Sequence, residues 1–246
     1  MTKREGARAR WVVQEALRAA PCWRAGGGPA QLSGMTEHAS ESATPTPDLV
    51  EERLEFADGA LFLLRPADAA ALVDESAFGV DEFLPYWAEL WPSGRALADA
   101  VPAECGDLRV LELGCGLAVP SLVAARRGAH VVATDWSADA CALVRTNARR
   151  LGVACEAVQA DWRQPRAILA RGPFDLVLAA DVLYEARNVE PVRALIEAIG
   201  ALTLLADPGR RHAAALWAAV APRFVVEPVS ELVRRLVPRT AAPAGA

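Results

Sequence analysis

Val110-Leu-Glu-Leu-Gly-Cys-Gly-Leu-Ala118, followed 17 residues later by Asp135-Trp136, decides the fold of this chain. Four apolar or apolar-flanked positions read as a buried strand, and Gly114-Cys-Gly116 as a tight turn. A helix follows, with Pro120 in its first turn and Gly128 at its end. A second apolar strand then closes on the Asp135 carboxylate. Strand, glycine turn, helix, strand and terminal carboxylate make up half of a nucleotide-binding α/β unit.

The details narrow the ligand. Two glycines spaced two apart let the backbone turn and approach a ligand without a Cβ between them. The amides at the next helix's N-terminus point the same way. A dinucleotide fingerprint asks for Gly or Ala at the sixth position from Gly114, where this chain has Val119. Glu112 would also sit badly beside a pyrophosphate. It suits a cationic ligand without phosphates, and S-adenosylmethionine carries both a sulfonium and an ammonium. Asp135, at the second strand's end, is placed to accept from both ribose hydroxyls. Cys115 and Gly116 complete the turn.

Working outward, strands are expected near 109–113, 130–134, 154–158, 174–180 and 201–206. Ser137 caps a helix whose buried face carries Ala140, Leu143, Val144, Ala148 and Leu151, with Gly152 at its end. Val192, Leu195, Ile196 and Ile199 stripe another that ends at Gly200, and a last helix covers about 210–220. Phe224–Glu227 and Leu232–Val237 form a final antiparallel pair. Upstream, Leu49–Phe56 and Ala60–Leu64 flank Asp58-Gly59, a short hairpin signal. Phe83-Leu-Pro-Tyr-Trp-Ala-Glu-Leu-Trp-Pro-Ser-Gly94 is aromatic and turn-rich, and leads into a helix near 95–101. The expected fold is α/β: a doubly wound, Rossmann-like sheet of seven strands, mostly parallel with an antiparallel C-terminal pair. Helices cover both faces, and a β-hairpin precedes them.

Composition bounds the rest. The chain has 246 residues, 53% hydrophobic, with a mean hydropathy of +0.17 and a pI of about 5.4. Its net charge is −5, but residues 1–34 carry +4, leaving −9 on the remainder. That acidic body gives no footprint for nucleic acid and suits a cationic substrate. Five cysteines show no metal spacing, and no apolar run is long enough to span a membrane. The expectation is a cytoplasmic protein without metal. Residues 1–48 read as a disordered extension, 49–240 as the folded domain and 241–246 as a tail. Met35 opens a polar leader, so residues 1–34 read as the product of an upstream start site.

The carboxyl ends of the parallel strands gather the candidate chemistry. Glu112, Asp135, Asp161 and Asp181 fall on one rim. Asp161 can accept from an adenine amino group, and Trp162 or Trp136 can pack on the ring. Phe174–Ala180 is an apolar run ending in Asp181-Val-Leu-Tyr184. A carboxylate and a phenol there can hold a substrate amine and take its proton. Trp87 and Trp91 suggest a cover over the ligand.

Together these residues resemble the class I, seven-β-strand S-adenosylmethionine-dependent methyltransferases, and within them the lysine methyltransferase-like, nicotinamide-N-methylase-like family. The marks are Pro85-Tyr-Trp-Ala-Glu-Leu-Trp-Pro-Ser-Gly94, Leu111-Glu-Leu-Gly-Cys-Gly116, Ala133-Thr-Asp-Trp136 and Leu178-Ala-Ala-Asp-Val-Leu-Tyr184. The resemblance implies Asp181 and Tyr184 as the catalytic Asp-x-x-Tyr pair. It implies cofactor contacts at Trp91, Glu112, Gly114, Cys115, Gly116, Asp135, Trp136, Asp161, Trp162 and Ala180. The implied reaction is methyl transfer to a nitrogen, most readily a protein lysine. The alternatives are a small amine as substrate, or a non-catalytic cofactor-binding module. A dehydrogenase is disfavoured by Glu112 and Val119. The family's usual third glycine is Ala118 here, which is small enough to keep the turn.

Overall fold

The computed structural model describes residues 48–72 and 85–239. The readings made for residues 1–47 and for 240–246 lie outside them, as do Phe83 and Leu84. Among the described residues, no helix is long and apolar enough to cross a membrane.

Two antiparallel strands, β1 (Leu49–Phe56) and β2 (Gly59–Pro66), form the expected hairpin. Its loop is Ala57-Asp58 rather than Asp58-Gly59, because Phe56 pairs directly with Gly59. Gly59 still carries the positive φ (111°) that a tight hairpin turn requires. A 3-10 turn at Tyr86–Ala88 leads into α1 (Pro92–Ala100). That helix begins three residues earlier than expected. Pro92 takes its first position, where a missing N–H costs nothing.

The main sheet contains β3 (Arg109–Leu113), β4 (His130–Asp135), β5 (Cys155–Gln159), β6 (Leu176–Ala180), β7 (Leu202–Ala206), β8 (Phe224–Pro228) and β9 (Val233–Pro238). Its order is β5-β4-β3-β6-β7-β9-β8. The first five strands pair in parallel, while β9 runs antiparallel between β7 and β8. The helices between them are α2 (Val119–Arg126), α3 (Ala138–Leu151), α4 (Arg166–Leu169), α5 (Ala186–Ile199) and α6 (Ala213–Val220). The expected strand and helix boundaries hold to within three residues. The order reverses between β3 and β6, which opens a crevice at their carboxyl ends.

The period-2 alternation of each buried strand sorts its side chains into two cores. Val110, Val131, Leu176, Leu178 and Leu204 pack on one face with the hairpin, α1 and α2. Leu111, Leu113, Val132, Val177, Ala179 and Leu205 pack on the other with Ile168, Val192, Leu195, Ile196, Leu216 and Val220. Each fully buried leucine or valine contributes about 1.5–3 kcal/mol relative to exposure.

Ser137 caps α3, its hydroxyl accepting from the Ala140 amide at 3.2 Å. Gly152 closes that helix in the left-handed conformation, and Gly200 does the same for α5. The hairpin is fastened from two sides. Asn147 of α3 accepts from the Leu64 N–H at 2.8 Å and donates to the Leu64 carbonyl at 2.9 Å. Asp58 takes the guanidinium groups of Arg126 and Arg127 at 2.7 and 2.9 Å. Hydrogen bonding from Arg127 leads the causes that hold its carboxyl at about 2.

Candidate active site

The glycine turn sits where β3 meets α2. Gly114 and Gly116 have φ of 64° and 49°, a region that side chains rarely adopt. Space forbids a side chain as well. A Cβ on Gly114 would lie 2.9 Å from the Trp162 ring, and one on Gly116 would lie 3.1 Å from the Trp87 carbonyl oxygen. The segment before α1 therefore lies over the turn, with Trp87 touching it through backbone. The Cys115 N–H donates to the Thr134 carbonyl at 2.9 Å, tying the turn to β4. Its thiol is buried, and desolvation pushes its pKa far up, so it stays a neutral thiol.

Ala118 takes the left-handed conformation too (φ 56°, ψ 35°) as the N-cap of α2. A glycine suits the position because of the backbone angle, and alanine accepts it at a cost of about 1–2 kcal/mol.

Asp135 ends β4 and is 9% exposed. One carboxylate oxygen accepts from the Gly116 N–H and the other from the Ser137 N–H, both at 2.8 Å. Each oxygen keeps a further lone pair for a ligand hydroxyl. Burial raises its pKa, against the lowering effect of those amides.

Glu112 behaves differently from the expectation of a rim carboxylate facing a cation. The pleat that turns Val110 toward α2 turns Glu112 the same way, and its carboxylate accepts from the Ser121 N–H of α2 at 3.1 Å. It is 1% exposed, and desolvation raises its pKa to about 8. Its visible work is to hold the start of α2 against β3.

Past β5, Asp161 accepts from the Arg163 N–H at 2.9 Å and from the Arg163 guanidinium at 3.0 Å. Hydrogen bonding to Arg163 is the first cause of its lowered pKa. The same guanidinium lies 5.5 Å from the centre of the exposed Trp136 ring. The Gln159 amide donates to the Trp136 carbonyl at 3.0 Å. Trp162 turns inward over Gly114, and its buried Nε1 has no hydrogen-bond partner among the described residues.

The carboxyl ends of β6 and β7 hold the second group. Ala180 ends β6, half-buried. Asp181 follows with φ 54°, and its N–H donates to the Ala206 carbonyl at 2.8 Å. Its carboxylate is gripped by Arg210, with Nε at 2.8 Å and an Nη at 2.9 Å. Tyr184 is 40% exposed, and desolvation by its partial burial is the first cause of its raised pKa. The Tyr184 ring meets that of Tyr86 edge-on at 5.6 Å, and Tyr86 meets Trp91 at 6.2 Å. The Trp91 Nε1 donates to the Tyr86 carbonyl at 2.8 Å. Tyr86, Trp91 and Tyr184 thus form one aromatic wall. A pocket of about 520 Å³, lined in part by Tyr86 and Trp91 of this wall, opens between Ala69-Ala70 and the Pro85–Pro92 segment.

Two participants escaped the sequence reading. Tyr86 lies inside the aromatic motif, whose two tryptophans are the stronger signal. Arg210 was assigned to a helix covering 210–220, but α6 begins at Ala213. Asp207 holds Asp207-Pro-Gly-Arg210 as a turn instead, by accepting from the Gly209 and Arg210 amides. That Pro-Gly signal at the carboxyl end of a parallel strand was the available clue.

The family described as "Methyltransferase domain" matches residues 110–203. The electron transfer flavoprotein beta subunit lysine methyltransferase of Xenopus laevis is 32% identical over 134 residues, covering 51% of this chain and 53% of that protein. The histone-arginine methyltransferase METTL23 of Xenopus laevis is 30% identical over 116 residues, covering 44% and 49%. The chain spans about half the length of these relatives. Among solved structures, the T. thermophilus 16S rRNA N2 G1207 methyltransferase RsmC superposes with a TM-score of 0.57. It is 15% identical and covers 80% of this chain and 52% of that one, a likeness of fold.

Fold and rim together resemble those of the class I, seven-strand S-adenosylmethionine-dependent methyltransferases, and residues 110–203 match a methyltransferase domain. Within that class the matched relatives are protein lysine and arginine methyltransferases. The residues present fit the cofactor of that class. Gly114 and Gly116 present backbone without a Cβ, Asp135 keeps lone pairs for vicinal hydroxyls, and the Trp162 Nε1 is an unused donor beside the turn.

Proposed function

We propose that this chain transfers a methyl group from S-adenosylmethionine to a nitrogen nucleophile, and that the acceptor is a protein lysine side chain. The observation that carries the reading is the Asp181 carboxylate at the end of β6, the strand paired with β3 of the glycine turn, three residues before Tyr184, whose ring meets that of Tyr86. The names of its relatives support a protein acceptor, and the acidic body suits a cationic lysine better than nucleic acid. A cytoplasmic site of action and a catalytic unit at residues 49–240 belong to the same proposal.

Bound S-adenosylmethionine supplies a methyl group activated by a sulfonium. The protein's part is orientation and electrostatics. Gly114, Cys115 and Gly116 offer backbone at close range, and Asp135 accepts from the ribose. Asp161, Trp136 and Trp162 receive the adenine, while Trp91 and Ala180 border the cofactor. Glu112 keeps α2 in register behind the turn. A lysine amine must lose its proton before it attacks, since its ordinary pKa is about 10.4. The aromatic wall desolvates it and lowers that value. Asp181 accepts a hydrogen bond from the amine and points its lone pair, and Tyr184 lines the channel as a neutral phenol.

The test is transfer of tritiated methyl to proteins of a host lysate and to recombinant electron transfer flavoprotein beta subunit, with wild type beside Asp181→Asn. Label in a discrete protein band is expected, reduced about 100-fold in the variant while cofactor affinity stays within about threefold. Label confined to small molecules would replace the protein acceptor with a free amine. Cofactor binding without transfer would reduce the chain to a binding module.

A further inference from the structure

We infer that Arg210 is a positioning residue for methyl transfer, clamping the Asp181 carboxylate and offsetting its charge so that the acceptor nitrogen is met as a neutral amine. The inference rests on the function proposed above.

Three observations carry it. First, the grip is bidentate, at 2.8 and 2.9 Å, so it fixes both the rotation and the tilt of the carboxylate plane. The Asp181 side chain is 9% exposed, and that of Arg210 37%. Second, Arg210 is itself held. Asp207 Oδ1 accepts from the Gly209 N–H at 2.8 Å and the Arg210 N–H at 2.7 Å, while the Asp207 N–H donates to the Leu232 carbonyl at 2.9 Å. Gly209 supplies the positive φ (89°) that the turn needs. Third, Asp181 sits in the left-handed region at φ 54°, a conformation that persists only where the surroundings over-determine it. Its backbone bond to Ala206 and its side-chain bond to Arg210 both come from the end of β7 and the loop that follows.

A lone carboxylate beside an amine favours the ammonium form and raises its pKa, which opposes attack. Pairing with a guanidinium cancels most of that field and leaves free lone pairs to accept one N–H. The other charged or titratable groups acting on this ion pair are the Asp207 carboxylate behind the turn and the Tyr86 phenol, while Glu185, Arg187 and Asp135 act on Tyr184. Arg210 is the cation bound to Asp181 itself.

The test uses the full chain as wild type, Arg210→Gln, Arg210→Lys and Asp181→Asn, with recombinant electron transfer flavoprotein beta subunit as acceptor. Cofactor affinity is read by calorimetry, and kcat, KM and the pH profile of kcat by methyl transfer. Arg210→Gln should lower kcat about tenfold or more while cofactor Kd stays within about twofold. It should move the midpoint of the kcat profile up by about one pH unit, as the uncancelled carboxylate favours the ammonium. Arg210→Lys should recover most of both. A wild-type kcat and midpoint in Arg210→Gln would overturn the inference and leave the proposed function standing. So would a loss confined to cofactor affinity. Absence of transfer by wild type itself, here and on host lysate, would overturn both.

Discussion

The Asp135 carboxylate accepts from the Gly116 N–H at 2.8 Å and so joins the end of β4 to the glycine turn that follows β3. Its other oxygen takes the Ser137 amide at the start of α3. One side chain therefore sets both the shape of the turn and the entry of the next helix. Asp135→Ala leaves two amides without partners and should cost about 1–3 kcal/mol. It should also weaken S-adenosylmethionine binding by tenfold or more, on the order of a lost charged hydrogen bond. Denaturant unfolding and calorimetry measure the two losses. Unchanged cofactor affinity would remove Asp135 from the cofactor site.

Glu112 makes stability depend on pH. Burial raises its folded pKa to about 8, while the unfolded chain has the ordinary value near 4.3. The folded state holds the proton more tightly. Its contribution is therefore fully present below about pH 4 and is lost as pH rises through about 8. Glu112→Gln stays neutral, and its carbonyl can still accept from Ser121. The melting temperature of wild type should fall relative to Glu112→Gln as the pH is raised across that window. Parallel curves would mean that Glu112 is ionised at little cost.

Ala118 carries backbone strain that glycine would relieve. The relief of about 1 kcal/mol is offset by the loss of a buried methyl, about 0.8 kcal/mol. Ala118→Gly should leave the unfolding free energy within about 1 kcal/mol of wild type. Ala118→Val, β-branched in the left-handed region, should destabilise by about 2 kcal/mol or more. A melt that ranks valine with glycine would show that the strain is absent.

Gly116→Ala places a Cβ 3.1 Å from the Trp87 carbonyl at a φ of 49°. Backbone, not a yielding side chain, is in the way, so the loss should be about 1–3 kcal/mol. Cofactor binding should weaken along with it, since the turn and the segment over it must part. Full stability and affinity in this variant would show that the segment moves aside freely.

Tyr184 keeps its proton near neutral pH, because burial raises its pKa. On the proposed function it packs and hydrogen-bonds in the channel as a neutral phenol. Tyr184→Phe, which preserves the edge-on stack with Tyr86, should lower kcat less than about fivefold, and Tyr184→Ala more than about tenfold. Equal losses would assign the role to the hydroxyl.

The repeating elements were legible because their signals are local. Ser137 and Gly152 bracket α3, Gly200 ends α5, and the alternation in Leu176–Ala180 marks a strand buried on both sides. Asp135, Asp161 and Asp181 could be assigned to the carboxyl rim because each follows a recognisable parallel strand. What the sequence hid depends on distant partners or on backbone angles. Asp181 and Arg210 lie 29 residues apart and meet only because β6 and β7 are neighbours. Glu112 was assigned by its position near a strand end, whereas the pleat decides which way it points. Ala118 was judged by volume, and its constraint is angular.

The central place of β9 in its half of the sheet bears on how the protein is made. β7 and β8 are translated before β9 yet cannot pair with each other, since β9 must enter between them. Until residues 233–238 leave the ribosome, β7 presents an open edge, and the Leu232 carbonyl that receives the Asp207 amide is not yet available. The nascent chain can thus assemble the cofactor half, β3 to β5, well before the turn that carries Arg210 is held. A chain that stalls before residue 232 would display unpaired strand edges of the kind that recruit chaperones or aggregate.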